Sequence, residues 1–238
     1  MPRRRGLLRE WSFNSSRRYL RRYNEEFAED MQEDMLVLDA GAGEQPYYDI
    51  FSRFRYESAD FEQVEKEYAP STYVCDLSDI PVEDGRFDRV ILNQVLEHLP
   101  EPKKVLRELN RVLKPGGKIL CTCPLFFPEH EQPYDFYRYT QFAHRYLFSE
   151  AGFEIERLEW MEGYFGTIAT QLQQMRWHIP GKPRYYTGHW YTLAAYPVAL
   201  GLKFGAHFMT GVFSRLDMAV KVTDRGYPKN YAVIARKP

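Results

Sequence analysis

Between residues 35 and 161, short apolar runs alternate with segments whose apolar residues recur at helical spacing. The runs at 35–40, 55–61, 71–77, 87–94, 118–124 and 153–161 read as strands, and a last one lies at 230–236. Residues 46–54 and 140–151 read as helices. Residues 101–113 place Val105, Leu106, Leu109, Val112 and Leu113 on one helical stripe, stopped by Lys114-Pro115-Gly116-Gly117. Strands alternating with helices predict parallel βαβ units joined by right-handed crossovers. The fold class is therefore α/β: a doubly wound, mostly parallel sheet of seven strands.

Flanking segments differ from this core. Residues 7–33 carry Trp11, Phe13, Tyr19, Tyr23 and Phe27 at roughly helical spacing, with Ser12, Asn14 and Ser15 as caps near the junction of one or two helices. Residues 125–139 read as a loop, with prolines at 128 and 133. Residues 162–229 contain no strand pattern and a long apolar stretch from Trp190 to Phe213. The predicted organisation is a basic helical arm (1–34), a core (35–161), an aromatic and apolar insertion (162–229) and the last core strand (230–238).

A net charge of −1 provides no global field for nucleic acid or an anionic membrane. Charge is uneven, however: Arg3 to Arg22 holds eight arginines against one acid, Glu10. That arm reads as a solvated terminus or as a contact for phosphate. No apolar segment follows the arginines, so no secretory signal is expected, and the chain reads as cytoplasmic. Cys75, Cys121 and Cys123 lie in or beside apolar runs and fit a reducing compartment. No second Cys or His pair completes a zinc set at Cys121-x-Cys123, so no metal site is expected.

The candidate chemistry begins where the first strand ends. Leu36-Val37-Leu38 runs into Asp39, and Gly41 and Gly43 follow at once. Glycines there let the backbone turn tightly and approach a ligand at the carboxyl edge of an open sheet. Asp60 and Asp76 close the second and third strands, so three carboxylates share that edge. An acid after the second strand has two oxygens for the hydroxyls of a ribose. The loop reads G-A-G-E-Q-P, without the third glycine of a dinucleotide fingerprint or the lysine of a phosphate cradle. A cationic ligand without phosphate suits this acidic lip.

In these features the chain resembles the class I S-adenosylmethionine-dependent methyltransferases, in the branch that includes the ubiquinone and menaquinone biosynthesis enzymes (methyltransferase type 11). The resemblance runs over residues 35–124 and continues more weakly to 161. It rests on V-L-D-A-G-A-G, on the strand-end acid of Y-E-S-A-D, on D-L-S-D-I-P-V-E-D-G-R-F-D-R-V-I-L-N-Q-V-L-E-H-L and on L-R-E-L-N-R-V-L-K-P-G-G-K-I-L. It implies a Rossmann-like core with S-adenosyl-L-methionine as cofactor. Gly41, Ala42 and Gly43 would pass under the methionine and ribose, with Asp39 orienting the loop. Asp60, followed by Phe61, would hold the ribose hydroxyls. Asp76 would accept from the adenine amino group, with Leu77 on the ring, and Asn93 and Gln94 would line the methionine end. Gln45 stands where the family often has glycine.

Methyl transfer needs alignment of a nucleophile and exclusion of water, with a general base only for some acceptors. The polar cluster placed for that work is residues 128–140. His130 is the base candidate, Asp135 and Arg138 an anchor for acceptor charge or an internal ion pair, and Tyr134 and Tyr139 pocket walls. His98 is a further candidate, with packing as its alternative role. The pattern H-x-x-P-x-D-F-x-R-Y-T resembles loops of methyltransferases associated with sugar and cell-envelope chemistry. Asn93-Gln94-Val95-Leu96 lacks the mark of amino-methylating DNA enzymes, and Cys123-Pro124 reverses the order of cytosine-C5 enzymes. No carboxylate cluster of the metal-dependent catechol type is evident. Expected acceptors are therefore small molecules, sugar- or lipid-linked, methylated on O, N or C, and nucleic acid is not expected.

Residues 162–229 read as a buried cap or homodimer surface, as a membrane-surface element companion to the arginines at the inner face of a membrane, or as a membrane span. Lys203, His207, Pro197, Gly201 and Gly205 weigh against the span. A rival to catalysis is a methyltransferase-fold module that binds or assembles without catalysing.

Overall fold

The computed structural model describes residues 13, 15–64, 67–186, 188 and 190–238, the side chains of 190 and 191 excepted. The arginines from Arg3 to Arg9, Trp11 and the caps Ser12 and Asn14 lie outside the described residues. The chain divides into two compact units, Tyr19–Met161 with Asn230–Pro238, and Met1–Arg18 with Glu162–Lys229. The boundary between them at Arg18 falls within one helix.

Chain order begins with α1 (Ser15–Ala28), β1 (Leu36–Ala40), α2 (Tyr48–Phe51), β2 (Arg55–Asp60), β3 (Tyr73–Val74) and β4 (Phe87–Asn93). A 3-10 turn (Leu96–His98), α3 (Pro102–Val112), β5 (Leu113–Pro124), α4 (Gln141–Glu150) and β6 (Glu154–Trp160) follow. The chain then runs through α5 (Tyr164–His178), a second 3-10 turn (Pro183–Tyr186), α6 (Trp190–Ala219) and β7 (Asn230–Arg236). One seven-stranded sheet has the order β3-β2-β1-β4-β5-β7-β6. Its first five strands are parallel, and β7 is antiparallel to both β5 and β6. The α/β doubly wound, Rossmann-like class follows.

Strand alternation divides the core into two layers. Leu36, Leu38 and Ala40 of β1, with Val90 and Leu92 of β4, join Leu106 and Leu109 of α3 and Phe148 of α4. Val37, Ile91 and Leu120 face the other way, onto Tyr19, Tyr23 and Phe27 of α1 and Phe51 of α2. Each carbon skeleton buried this way contributes about 1.5–3 kcal/mol.

Several boundaries differ from the sequence pattern. β3 pairs only Tyr73 with Ala59 and Val74 with Asp60. Just before them, side chains intercept the ladder: the Thr72 hydroxyl accepts from the Ser58 amide and the Ser58 hydroxyl accepts from the Thr72 amide, each at 3.1 Å. The helix expected over 46–54 shrinks to one turn, because Phe54 bonds back to Phe51 and turns the chain into β2. Lys114-Pro115-Gly116-Gly117 ends α3 as expected, but β5 already starts at Leu113, which pairs with Phe87 before an irregularity leads to Lys118 opposite Arg89.

His144 on α4 is fully buried against the rings of Tyr139, Phe148 and Tyr231, and neither ring nitrogen has a hydrogen-bond partner among the described residues. Burial pushes its pKa down to about 4. The unfolded chain therefore takes up this proton first, near pH 6.5, and the stability held by neutral His144 is lost as pH falls from there toward 4. Between pH 7 and 5 the loss is about 2 kcal/mol. Denaturant titrations should show that much less acid sensitivity in His144→Phe than in the native chain; equal slopes would disprove the assignment.

In the other unit, α5 and α6 pack together through Phe165 stacked on Phe213 and through Ala169, Ala206 and Thr210. Buried Asp217 of α6 accepts from the Gly163 amide at the start of α5. A Cβ on Gly166 would stand 2.5 Å from the Asp217 carboxylate, so only glycine admits that approach. α6 continues past Pro197, which is exposed, where missing one donor is tolerated by water. No helix among the described residues is long and apolar enough to cross a membrane, which corrects the span alternative for residues 190–213: Lys203 and interspersed polar positions keep the helix below that threshold.

Candidate active site

The glycine loop is wedged between two strand ends. Gly41 (φ +74°) and Ala42 donate to the Ala59 carbonyl at 2.8 and 3.2 Å. A Cβ on Gly41 would meet the Val95 methyls at 2.5 and 2.6 Å. Asp60 is buried, and its two oxygens accept from the Gly43 amide (2.9 Å) and the Glu62 amide (3.1 Å). Each oxygen retains a second acceptor position. Asp39, also buried, accepts from the Tyr56 hydroxyl at 2.7 Å rather than from a loop amide. Burial pushes its carboxyl up to about 7; the Tyr56 bond opposes this and the Asp60 charge adds to it. Gln45 (φ +53°) reaches from the loop to the Pro70 carbonyl and the Ser58 hydroxyl.

Asp76 lies two residues past β3 and is exposed, and its carboxylate accepts from the Ser78 amide in a tight turn. Leu77 is buried in the core. Asn93 is committed elsewhere. Its side-chain amide pairs reciprocally with Asn24 of α1, at 2.8 and 3.3 Å, and its oxygen accepts from the Thr122 hydroxyl at 3.0 Å. Alternation explains this placement, since Asn93 continues the face of Ile91, which is the α1 side. Gln94 (φ +57°) donates its amide to the Thr122 carbonyl.

Beyond β4 lies a second group. Glu97 is fully buried; one carboxylate oxygen accepts from the Cys123 thiol at 3.4 Å, and burial pushes the group up to about 7. Its backbone carbonyl accepts from the amides of Phe136 and Tyr137 and so anchors the loop after β5. His98 donates Nδ1–H to the Tyr134 carbonyl at 2.5 Å, and burial lowers its pKa, keeping the ring neutral. Tyr134 in turn meets Phe61 edge-on at 5.4 Å, so the loop reaches from β5 to the end of β2. His130 packs edge-on against His98 with ring centroids 4.7 Å apart.

Asp135 and Arg138 form a bidentate pair at 2.6 and 2.8 Å, which holds the Asp135 carboxyl well below the usual carboxylate range. The remaining Arg138 donors go to the carbonyls of Phe127, Pro128 and Tyr137. All five guanidinium hydrogens are thereby used inside the loop. Asp135 also accepts from the His130 amide at 2.8 Å. The pair shapes the loop and orients His130. Tyr139 is buried, its hydroxyl on the Leu96 carbonyl, and packs as core.

The structure thus gathers Asp39, Gly41, Ala42, Gly43, Asp60 and Phe61 at one part of the sheet edge, and His98, His130, Asp135 and Arg138 in and under the loop joined to it through Tyr134. Asp76 and Leu77 flank the β3 turn. Glu97, Tyr56, Asn24 and Thr122 escaped the sequence reading. The one local signal for Glu97 was an acid inside the apolar run Val95-Leu96-Glu97-His98-Leu99.

Known proteins share part of this sequence and its fold. Residues 38–121 match the model of a methyltransferase domain. Over 110 residues the chain is 33% identical to a demethylmenaquinone methyltransferase of Staphylococcus aureus, a match covering 45% of this chain and 40% of that protein. An S-adenosylmethionine-dependent methyltransferase of Archaeoglobus fulgidus shares the fold at 16% identity, TM-score 0.52, over 93% of this chain and 92% of the other. A phosphoethanolamine N-methyltransferase of Haemonchus contortus, bound to S-adenosyl-L-methionine, does so at 20% identity, TM-score 0.53, over 95% of this chain and 53% of the other. The match spans less than half the length of that curated relative; in its matched domain and its sheet order the chain is similar to S-adenosylmethionine-dependent methyltransferases.

Proposed function

We propose that the protein is a methyltransferase that uses S-adenosyl-L-methionine on a small, sugar- or lipid-linked acceptor. The observation that carries the reading is Asp60: a buried carboxylate at the end of β2, steadied by two loop amides, with acceptor positions left over beside a loop that has no room for a Cβ. The residues fit the donor. Asp60 would take the ribose hydroxyls and Gly41–Gly43 the methionine and ribose underside. Asp76 and Leu77 would take the adenine, with Phe61 beside it, and Gln94 the methionine end, braced by Asn93. Buried Asp39 and Asp60 favour a cation and disfavour a phosphate. When bound, the donor supplies an electrophilic methyl on a sulphonium.

The chain's own residues then align and shield. Tyr134 against Phe61 brings the acceptor loop to the donor side. His98 and His130 are the polar side chains for the acceptor, while Asp135 and Arg138 position His130 from behind. Calorimetry of the intact protein with S-adenosyl-L-methionine should show one binding event; no heat would defeat the proposal.

The acceptor's physical state is suggested by α6. From Gly163 to Leu216 the sequence has no acid and five basic residues, Arg176, Lys182, Arg184, Lys203 and Arg215. Leu193, Val198, Leu202, Phe204 and Phe208 are all more than half exposed along α6. An acid-free, basic stretch with exposed apolar side chains suits the surface of an anionic membrane. Co-sedimentation with phosphatidylglycerol vesicles should exceed that with phosphatidylcholine and fall with salt. Absence of binding at low salt would remove the membrane contact, and a dimer in sedimentation would assign the face to self-association.

A further inference from the structure

We propose that Glu97, His98 and His130 form a binding site for a divalent transition-metal ion of the zinc type, with coordination positions left open for an oxygen of the methyl acceptor. One donor atom from each of the three residues lies within 4.8 Å of the other two. The metal site stands on its own geometry; only the acceptor oxygen rests on the methyltransferase reading.

Glu97 shows that something belongs there. It is fully buried, and its Oε1 has no hydrogen-bond partner among the described residues, while Oε2 takes the Cys123 thiol. A carboxylate removed from water without compensation costs several kcal/mol. Oε1 faces His98 Nε2 at 3.8 Å. Because Nδ1 of His98 lies 2.5 Å from a carbonyl, which accepts only, the proton sits on Nδ1 and Nε2 offers a lone pair. The two atoms therefore face each other across a gap too long for a hydrogen bond. Ligands of one ion suit that gap: at bond lengths near 2.1 Å, tetrahedral neighbours stand about 3.4 Å apart.

His130 has the same construction. Its Nδ1 is 3.2 Å from the Pro128 carbonyl and 3.4 Å from the Asp135 carboxylate, both acceptors, so Nε2 is left as the lone pair. An imidazole whose far nitrogen is held by a carbonyl or carboxylate is the usual arrangement of a metal-ligating histidine, with tautomer and orientation fixed in advance. The ring is about one-third exposed, so an ion can reach it from solvent. Two imidazoles and one carboxylate match zinc sites that keep an open position, and a transition ion suits them better than magnesium or calcium, which favour all-oxygen shells.

The test titrates chelator-treated intact protein with Co2+, read by visible absorption, and with Zn2+ by calorimetry, both without donor. One equivalent should bind, and His98→Ala, His130→Ala and Glu97→Gln should each weaken it at least tenfold. His130 is on a loop, so circular dichroism of His130→Ala should match the native chain and isolate the ligand effect. No stoichiometric uptake, or uptake unchanged in the His98→Ala/His130→Ala double variant, overturns the site. Donor binding is titrated in the same samples. Metal uptake without donor binding upholds this site and defeats the methyltransferase reading; donor binding without metal uptake does the reverse.

Discussion

Asp60→Ala is expected to lower the affinity for S-adenosyl-L-methionine at least a hundredfold. Two hydrogen bonds from ribose hydroxyls to a charged acceptor are worth about 1.5–3 kcal/mol each, and a loss of about 3 kcal/mol is already more than a factor of 100. The substitution also releases the Gly43 and Glu62 amides that Asp60 holds. The loop loses its anchor together with the ligand contact, at a stability cost of about 1–3 kcal/mol. A melt separates the two effects: saturating donor should raise the melting temperature of the native chain and leave that of Asp60→Ala unchanged. A variant that binds within threefold of the native protein would show that the donor does not use this carboxylate.

Gly41→Ala should be the most destabilising single-methyl change in the sheet edge, at about 2–4 kcal/mol by chemical denaturation. Two causes add. The residue sits at φ +74°, where any side chain costs about 1–2 kcal/mol, and the new methyl would overlap both Val95 methyls. Combining it with Val95→Ala separates them. The overlap disappears and about half the loss should return, while the backbone part stays. No recovery in the double variant would mean that Val95 does not bound the loop from that side.

The strand and helix series was legible because periodicity is a local property, and β1, β4, α3 and β7 lie where their apolar spacing put them. Misread segments are those where something non-local decides. β3 is short because Ser58 and Thr72 exchange hydroxyls for ladder bonds, a contact between residues fourteen apart. α6 continues through Pro197, Gly201 and Gly205 because packing on α5 outweighs weak local propensity. Of the site, the glycines and strand-end acids were visible, since each is positioned by the end of its own strand. Asn93 was visible as a strand-end residue, but its partner Asn24 was not, because the pairing depends on where α1 lies on the sheet. Glu97 was hidden for a related reason: a carboxylate buried beside Cys123 looks, in sequence, like one polar residue on a turn.

That packing of α1 has a consequence for the order of events during synthesis. Asn24 waits for Asn93, Glu26 for Arg157, and the Tyr23 hydroxyl for Glu159. The helix leaves the ribosome before these partners, which are made as much as 136 residues later. Such distant contacts form slowly and late. Until β6 emerges, Tyr19, Tyr23 and Phe27 have no finished surface to cover, and their apolar face remains open to whatever binds nascent chains. A helix made well before its partners is therefore locked only when the last of them arrives.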